Sequence, residues 1–179
     1  MDLVEGITEN LYTPDCIRTF TGIYVNVFEP TPEMICIDDI AHSLSNQSRF
    51  GGHLPEYYSV AQHSFLCSQI VDPQFKLQAL LHDASEAYLL DVPRPIKNRL
   101  SNYKEIEDKL MFLIAEKFGF KYPLEEEVKH ADERMLRFEW ERIMLNKPAP
   151  VTFDCWDPKF AKQKFLEVFN EITGLKSCQ

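Results

Sequence analysis

The sequence has no excess of positive charge, since 19 Lys and Arg residues stand against 28 Asp and Glu residues and the formal net charge is −9. Nucleic acids and anionic membranes are bound through excess lysine and arginine, so this balance argues against both as partners. A small phosphorylated molecule is still compatible with it. Such a ligand needs only one locally positive site, which a metal ion and one or two basic side chains can provide.

Paired cysteines and a long apolar run are also lacking. The first ten residues contain three acids and no apolar stretch, which predicts neither a signal peptide nor a membrane anchor. We therefore expect a cytoplasmic protein with reduced, mostly buried thiols rather than a disulfide framework or a zinc-cysteine site. The five cysteines are scattered and form no Cys-x-x-Cys pair: Cys16, Cys36, Cys67, Cys155 and Cys178.

The length and composition predict one domain with one sizeable core. The chain has 179 residues, of which 45% are hydrophobic, including 13 Phe and 7 Tyr. No internal repeat, low-complexity stretch or long linker divides it. We divide this domain into N-terminal strands over 1–37, a helical core over 38–146 and a C-terminal helix over 147–179.

The first third of the chain differs from the rest in its pattern. Residues 22–29 alternate between apolar and polar, and two prolines then precede the apolar run 34–37, so we expect these two segments to pair as short strands. Asp38 and Asp39 follow at the start of a helical pattern over 40–45, where acids favour a helix N-terminus. A glycine-containing loop follows over 49–53.

From Ser59 onward the pattern is helical, which makes the predicted fold mainly α. Residues 59–62 fit a capping box, in which the Ser59 hydroxyl and the Gln62 side chain each satisfy a backbone N–H. His63 then lies about one turn into a helix. Four further helices are predicted from apolar residues at helical spacing, over 73–89, 103–118, 124–145 and 158–172.

Four residues on this helical part have the chemistry of a divalent metal site: His63, His82, Asp83 and Asp132. Two imidazoles and two carboxylates give mixed nitrogen and oxygen ligation. Because they are far apart in sequence, they must come from different helices and meet inside a helical bundle. The alternative is a helix-capping aspartate beside a histidine that serves only the core.

The surroundings of His82 and Asp83 favour the metal site. The pair interrupts an apolar stripe over 80–87, and a buried carboxylate costs several kcal/mol unless it is paired. Glu86 lies one helical turn after His82, and Asp91 follows just past the predicted helix end. Two such acids can orient or deprotonate an attacking water and protonate or bind a leaving oxygen.

Four segments closely resemble the HD-domain phosphohydrolases, and most of all the bacterial 5'-deoxynucleotidase branch. They are residues 59–63 (SVAQH), 79–86 (ALLHDASE), 91–97 (DVPRPIK) and 128–132 (VKHAD). The resemblance covers about residues 38–140. It implies an HD-domain helical bundle in which His63, His82, Asp83 and Asp132 hold one divalent ion, which would be Mn, Co, Fe, Ni or Zn. The two further histidines His42 and His130 are expected to be structural, so the resemblance does not extend to dinuclear members.

The resemblance also implies roles for residues around the metal. Glu86 and Asp91 match the acids of the family that handle protons. Arg49 and Phe50 stand where the deoxynucleotidase branch has an Arg-Trp pair that orients the phosphate and packs near the sugar, and Lys97 is a second phosphate contact. A guanidinium matches a phosphate bidentately, whereas Phe50 lacks the indole N–H. The substrate sugar therefore stays open.

His53 and Tyr58 lie between Arg49 and His63 in sequence and are further candidates for substrate contact. The expected activity is release of phosphate from deoxynucleoside monophosphates. Other functions stay open: a deoxynucleoside triphosphatase, an alarmone or cyclic nucleotide hydrolase, a diiron oxygenase of the same fold, or a non-catalytic helical regulatory protein. A homodimer would be the commonest assembly.

Overall fold

The structure, a computed structural model, describes residues 14–148 and 154–174. Eight α-helices and one two-stranded hairpin form most of the regular structure of these residues. The predicted fold class, mainly α with a short N-terminal hairpin, is confirmed. The predictions about the first ten residues and about Cys178 lie outside the described residues.

The hairpin pairs β1 (Cys16–Arg18) with β2 (Tyr24–Asn26) in antiparallel register, so that Ile17 lies opposite Val25. Val25 is fully buried and attaches the hairpin to the main core. The prediction for 22–29 therefore located one strand correctly, but its partner precedes it in the chain.

Residues 34–37, predicted as the partner strand, are not a strand. Pro32–Met34 forms a 3-10 turn, and α1 (Ile37–Asn46) begins directly afterwards. The prediction was wrong because Pro32 fixes the backbone at the first position of a helical turn and two acids follow where a helix N-terminus favours them. The predicted helix over 40–45 is confirmed as part of α1.

Half of the predicted capping box is present at the start of α2 (Val60–Gln69). The Ser59 hydroxyl accepts a hydrogen bond from the Gln62 backbone N–H at 3.1 Å. The Gln62 side chain does not return to Ser59; it donates to the Asp154 carbonyl and accepts from the Trp156 N–H. Gln62 therefore fastens the C-terminal segment to α2.

The helix predicted over 73–89 is broken in the middle. A 3-10 turn leads into α3 (Lys76–Leu80), turns follow, and α4 (Glu86–Leu89) comes next. The continuous helix was a wrong prediction, although the apolar spacing continues through it. Consecutive residues of an α-helix point about 100° apart. In a continuous helix His82 and Asp83 would point in different directions. The break allows both side chains to approach His63.

The remaining helices agree well with their predicted ranges. A single turn, α5 (Arg94–Lys97), precedes α6 (Tyr103–Phe118), which ends at Gly119 in the left-handed conformation. Next, α7 (Glu126–Glu139) continues directly into a π-helix, Trp140–Met144. The last helix, α8 (Pro158–Thr173), is capped by Asp157.

Helices α1, α2 and α8 pack against one another around the main core, so the C-terminal helix completes the same core as the rest. The fully buried side chains of this main core include Ile40, Leu44, Leu80, Leu110, Ile114 and Phe165. A second cluster joins α2, α3 and α7 through Cys67, Val71, Ala79, Val128, Ala131 and Met135. Among the described helices, none has the length and apolar character needed to cross a membrane.

Candidate metal centre

His63, on α2, is fully buried and lies at the centre of the candidate site. Its Nδ1 is 2.5 Å from Glu139 Oε1, while its Nε2 is 3.1 Å from Asp132 Oδ1 and 3.3 Å from His82 Nε2. An ionised carboxylate can only accept, so Nδ1 carries the proton toward Glu139. The lone pair of Nε2 consequently faces Asp132 and His82.

His82 is oriented in the same way by the backbone. Its Nδ1 lies 2.8 Å from the carbonyl oxygen of Ala79 and donates to it. The Nε2 lone pair is then directed to the Nε2 atom of His63. Two imidazole lone pairs that face one another need a shared electrophile, and metal-binding histidines show this arrangement of one donating and one ligating nitrogen. Burial would lower the pKa of both histidines, but the neighbouring acidic groups raise it well above the usual value, so without a metal each ring also carries a proton at Nε2.

Two carboxylates complete the group. Asp83 Oδ2 lies 3.2 Å from His82 Nε2 and 3.9 Å from His63 Nε2. Asp132 Oδ1 lies 3.7 Å from His82 Nε2. The structure therefore brings together all four residues that the sequence predicts as ligands, from α2, from the break between α3 and α4, and from α7.

These separations fit donors around a single ion. A cation about 2.1 Å from each donor holds neighbouring donors about 3.0 Å apart at a right angle and about 3.4 Å apart in a tetrahedron. Donors on opposite sides are about 4.2 Å apart. The measured separations of 3.1 Å, between His63 and Asp132, to 3.9 Å, between His63 and Asp83, lie inside this range.

A thiol also lies at the site. Cys67 is fully buried one helical turn after His63, and its Sγ is 3.5 Å from His63 Nε2. His63, Cys67 and His82 form a buried group that could hold a metal ion. The expectation of reduced thiols is consistent with the structure, in which Cys67 and three other described cysteines are free: Cys16, Cys36 and Cys155. The expectation that they are mostly buried was wrong for the described cysteines, since only Cys67 is buried and the other three are partly exposed.

Behind the metal-ligand group, Glu139 connects three polar side chains. It is fully buried and accepts from His63, from the Tyr58 hydroxyl at 2.8 Å and from Arg49 Nε at 3.1 Å. Arg49 Nη1 in turn lies 3.6 Å from Asp83 Oδ2. Glu139 thus fixes the orientation of a candidate metal ligand and of the candidate phosphate clamp at once.

The charges of this network follow from the contacts. Burial alone would raise the pKa of Asp83, but the neighbouring His82 lowers it to about 2. When the Nε2 atoms of His63 and His82 carry protons, their hydrogen bonds to Asp132 lower its pKa as well, against the effect of its burial. Both carboxylates are therefore ionised at neutral pH, and this negative charge suits a divalent cation.

A pocket of about 1080 Å³ opens onto this group. Its size is at the upper end of the range for small-molecule sites. Five of the predicted functional residues outside the buried histidines line it: Arg49, Phe50, Glu86, Asp91 and Lys97. Asp83 and Asp132 line it too, so two of the four candidate metal ligands are accessible to a molecule in the pocket.

Glu86 and Asp91 are held in the pocket wall by Gln47, which directly follows α1. The Gln47 amide donates to the Glu86 carbonyl and accepts from the Asp91 N–H. Glu86 is 7% exposed, and its Oε2 has no hydrogen-bond partner among the described residues. Burial, and then the charges of Asp83 and Asp91, raise the pKa of Glu86 well above its usual value. Burial likewise raises the pKa of Asp91.

Two bacterial proteins are similar to the chain. It is 40% identical over 174 residues to the uncharacterized protein YfdR of Escherichia coli strain K12. This match covers 90% of this chain and 98% of YfdR. The chain belongs to the YfdR family. It is also 33% identical over 158 residues to an uncharacterized protein of Rhodobacter capsulatus, across 75% of this chain and 81% of that protein. No family model matches the chain.

In this member of the YfdR family, three of the predicted substrate contacts are less available than the rest. Tyr58 is fully buried and donates to Glu139 from behind the site. His53 is exposed on the loop after Phe50, and it is not among the residues that line the pocket. Lys97 lines the pocket but forms an ion pair with Glu107. Their roles as substrate contacts stay predictions.

Three side chains of the site were missed by the sequence analysis: Glu139, Cys67 and Trp140. Glu139 follows Asp132 by seven residues, which is nearly two full helical turns, so the two acids share one face of α7. Cys67 follows His63 by four residues and shares its face in the same way. These two spacings in the sequence could have indicated that Glu139 and Cys67 belong to the site. Trp140 gave none, because its place in the pocket depends on the fold around it.

Proposed function

We propose that this YfdR-family protein is a metal-dependent phosphohydrolase that acts on nucleotides, and that it releases phosphate from deoxynucleoside 5'-monophosphates. The observation that carries the proposal is the convergence of His63, His82, Asp83 and Asp132 at one end of a pocket that also contains Arg49. The resemblance of these segments to HD-domain phosphohydrolases supports the choice of reaction.

The four residues would hold one divalent ion, with Mn, Co, Fe, Ni and Zn as candidates. When bound, such an ion supplies a Lewis acid for the phosphate and lowers the pKa of an attacking water. Cys67 bears on which metal is preferred, because a thiol near two imidazoles favours softer ions such as zinc over magnesium. The buried carboxylate of Glu139 keeps His63 in the tautomer that ligation requires.

Arg49 is suited to bind the phosphate. Its Nε is committed to Glu139, and its Nη1 leans toward Asp83, but a guanidinium has five N–H donors. Burial would lower the pKa of Arg49, yet the charges of Glu139 and Asp83 raise it, so the cation is permanent. Arg49 thereby offsets the negative charge of the site for an anionic substrate.

Glu86 and Asp91 are suited to manage protons. The raised pKa of Glu86 allows its carboxyl group to keep a proton at a pH where an ordinary glutamate has lost it, so it can donate to the leaving oxygen. Asp91 lies in the same wall and can accept the proton of the attacking water. The division of roles follows from the more strongly raised pKa of Glu86.

The walls of the pocket also favour a second substrate, a deoxynucleoside triphosphate. Besides Arg49, four basic residues line it: Arg94, Lys97, Lys104 and Arg137. Of these, Lys97 and Lys104 form ion pairs with Glu107 and Asp108. A single phosphate does not need so many cations, whereas a triphosphate carries several negative charges. The volume of about 1080 Å³ accommodates either substrate.

The test is a panel of deoxy- and ribonucleoside mono- and triphosphates, assayed with each of the five metals and after treatment with a chelator. Inorganic phosphate, pyrophosphate and triphosphate are separated as products. Phosphate released from deoxynucleoside monophosphates is the expected result, and triphosphate released from triphosphates identifies the second candidate. If metal and nucleotide bind but no product forms across the whole panel, the protein is a binding or regulatory protein instead.

The variant Asp83→Asn tests the site itself. Loss of partners that only orient a ligand typically lowers affinity or activity 10- to 100-fold, so loss of a ligand should lower turnover by more than about 100-fold. Asp15→Asn is a matched control, since Asp15 is exposed and its positive φ is one that asparagine also adopts. Near wild-type turnover by folded, metal-loaded Asp83→Asn would refute the assignment.

A further inference from the structure

Two aromatic side chains face each other at the pocket, and none of the roles above uses both. Phe50 and Trp140 line the same pocket as Arg49 and Asp83, and their ring centroids are 6.0 Å apart with an interplanar angle of 42°. Trp140 is 46% exposed. Ligand pockets are lined predominantly by hydrophobic and aromatic side chains, and an aromatic ring that stays exposed inside a pocket is available to a ligand there.

A buried ion pair joins the two backbone segments that carry the rings. Phe50 directly follows Arg49 and Trp140 directly follows Glu139, and these two charged residues are joined at 3.1 Å. The pair belongs to the same network as His63. The two rings therefore follow directly in sequence two residues of the network that also holds His63.

The backbone at both rings departs from regular geometry. Phe50 has φ 55° and ψ 30°, a left-handed conformation that costs a non-glycine residue free energy, and Gly51 continues it with φ 62°. Trp140 is the first residue of the π-helix, and π-helical turns occur frequently at functional sites. Two unrelated local distortions thus meet at one pair of side chains in the pocket.

The gap between the rings is close to the thickness of a planar molecule. A ring in van der Waals contact lies about 3.5 Å from each partner, so one planar ring held between two others separates them by about 7 Å. The observed 6.0 Å requires only a small opening and a rotation of one ring. An aliphatic chain or a bare sugar gains less from two flat aromatic faces.

The pocket also sets the length of the ligand. Asp132 and Trp140 line it from the same helical run, eight residues apart, which is about 12 Å along an α-helix. The guanidinium carbon of Arg49 lies 5.7 Å from the centroid of the Phe50 ring, so a molecule that reaches Arg49 and the two rings needs a short spacer between its phosphate and its ring. A nucleotide has this form, with its sugar as the spacer.

We propose that Phe50 and Trp140 form an aromatic clamp that stacks on the base of a nucleotide whose phosphate lies at Arg49. The phosphate end of this assignment rests on the proposed function, whereas the clamp itself rests on the two rings and their spacing. Stacking tolerates every base, so the clamp selects nucleotides over phosphate esters without a base and does not choose strongly among bases.

The test compares deoxyadenosine 5'-monophosphate with deoxyribose 5-phosphate, which lacks the base. Trp140→Leu should raise KM for the nucleotide about 5- to 100-fold, as expected for the loss of one stacking partner, and leave KM for the sugar phosphate within about twofold. Trp140→Phe keeps a ring and should restore most of the affinity. Trp156→Phe, outside the pocket, is the control. An equal rise for both substrates, or none, would overturn the clamp.

A binding measurement separates failure of the clamp from failure of the proposed function. The chain has two tryptophans, so in Trp156→Phe the fluorescence comes from Trp140 alone. Deoxyadenosine, which has no phosphate, should quench it, and deoxyribose 5-phosphate should not. Quenching without turnover of any phosphate ester would support the clamp and refute the phosphohydrolase. Turnover of nucleotides without quenching would support the phosphohydrolase and refute the clamp.

Discussion

Two buried carboxylates on different parts of the molecule show how its scaffold and its site differ. Asp39, on α1, is 2% exposed and accepts from the Thr19 hydroxyl and from the backbone N–H and hydroxyl of Thr21, each at 2.7 Å. All three donors are neutral and lie in the turn of the hairpin. Asp39 therefore fastens β1 and β2 to the helices.

Glu139 meets the same physical demand with different partners. It also accepts three hydrogen bonds, but they come from an arginine, a histidine and a tyrosine that lie 76 to 90 residues away in sequence. Buried carboxylates must be paired in either case. The neutral donors around Asp39 only hold the fold together, whereas the donors around Glu139 are groups that a reaction can use.

Breaking the Glu139 network should have the largest effect. Glu139→Ala leaves the Arg49 cation buried without its main partner, and breaking a buried pair in this way lowers the free energy of unfolding by about 3–5 kcal/mol. Glu139→Gln retains the volume and should fold. Because His63 loses its carboxylate, metal affinity should fall about 10- to 100-fold, measured by calorimetric titration of the metal-free protein.

Glu141→Gln is the matched control, because Glu141 is exposed two residues further along the same helical run. It should change neither the free energy of unfolding nor the metal affinity. If Glu139→Gln bound metal as tightly as this control, Glu139 would be a structural residue like Asp39, and the distinction between the two regions would fail.

Removal of Asp39 should have a smaller effect, confined to stability. Asp39→Ala leaves hydroxyl and backbone donors of Thr19 and Thr21 without an acceptor, which costs about 1–3 kcal/mol of unfolding free energy, measured by urea denaturation. Asp39→Asn keeps one acceptor oxygen and should lose less. Metal affinity should stay within about twofold of wild type. A loss of metal affinity as large as that of Glu139→Gln would contradict the separation of scaffold and site.

The scaffold was easier to predict from the sequence than the site, for a physical reason. The helix over 103–118 has the predicted ends because Gly119 adopts the left-handed conformation that stops it, and α2 starts where the Ser59 hydroxyl caps it. These signals act within a few residues. The same kind of signal failed at 73–89, where the apolar spacing is helical but the chain breaks at His82 and Asp83.

The site was predictable only in its unusual residues. Histidines and acids that interrupt an apolar stripe can be recognised in the sequence. The four candidate ligands predicted in this way lie together in the structure. In the sequence, Glu139 resembles any other acid on a charged helix. Its role depends on contact with Arg49, which lies 90 residues away and meets it only in the folded protein. Trp140 is recognisable as a wall of the pocket only when the fold brings Phe50 to it, with ring centroids 6.0 Å apart.

A third buried carboxylate, Glu86, differs from both Asp39 and Glu139, and its expected effect on stability is the smallest of the three. One of its oxygens has no donor among the described residues, unlike those of Asp39 and Glu139, and its pKa is raised by burial and by Asp83 and Asp91. The folded protein therefore retains a proton that the unfolded chain releases near pH 4.3. Stability from this group is full below that pH and is lost as the pH rises toward the folded pKa.

The variant Glu86→Gln should remove this dependence. In the presence of a chelator, the unfolding free energy of the wild type should fall more steeply with pH than that of the variant, by up to about 1.4 kcal/mol per pH unit for one proton. Urea denaturation at several pH values above about 4.5 measures both slopes. Equal slopes would mean that Glu86 is ionised in the folded protein. It would then be a satisfied carboxylate like Asp39, and it could not be the group that protonates a leaving oxygen.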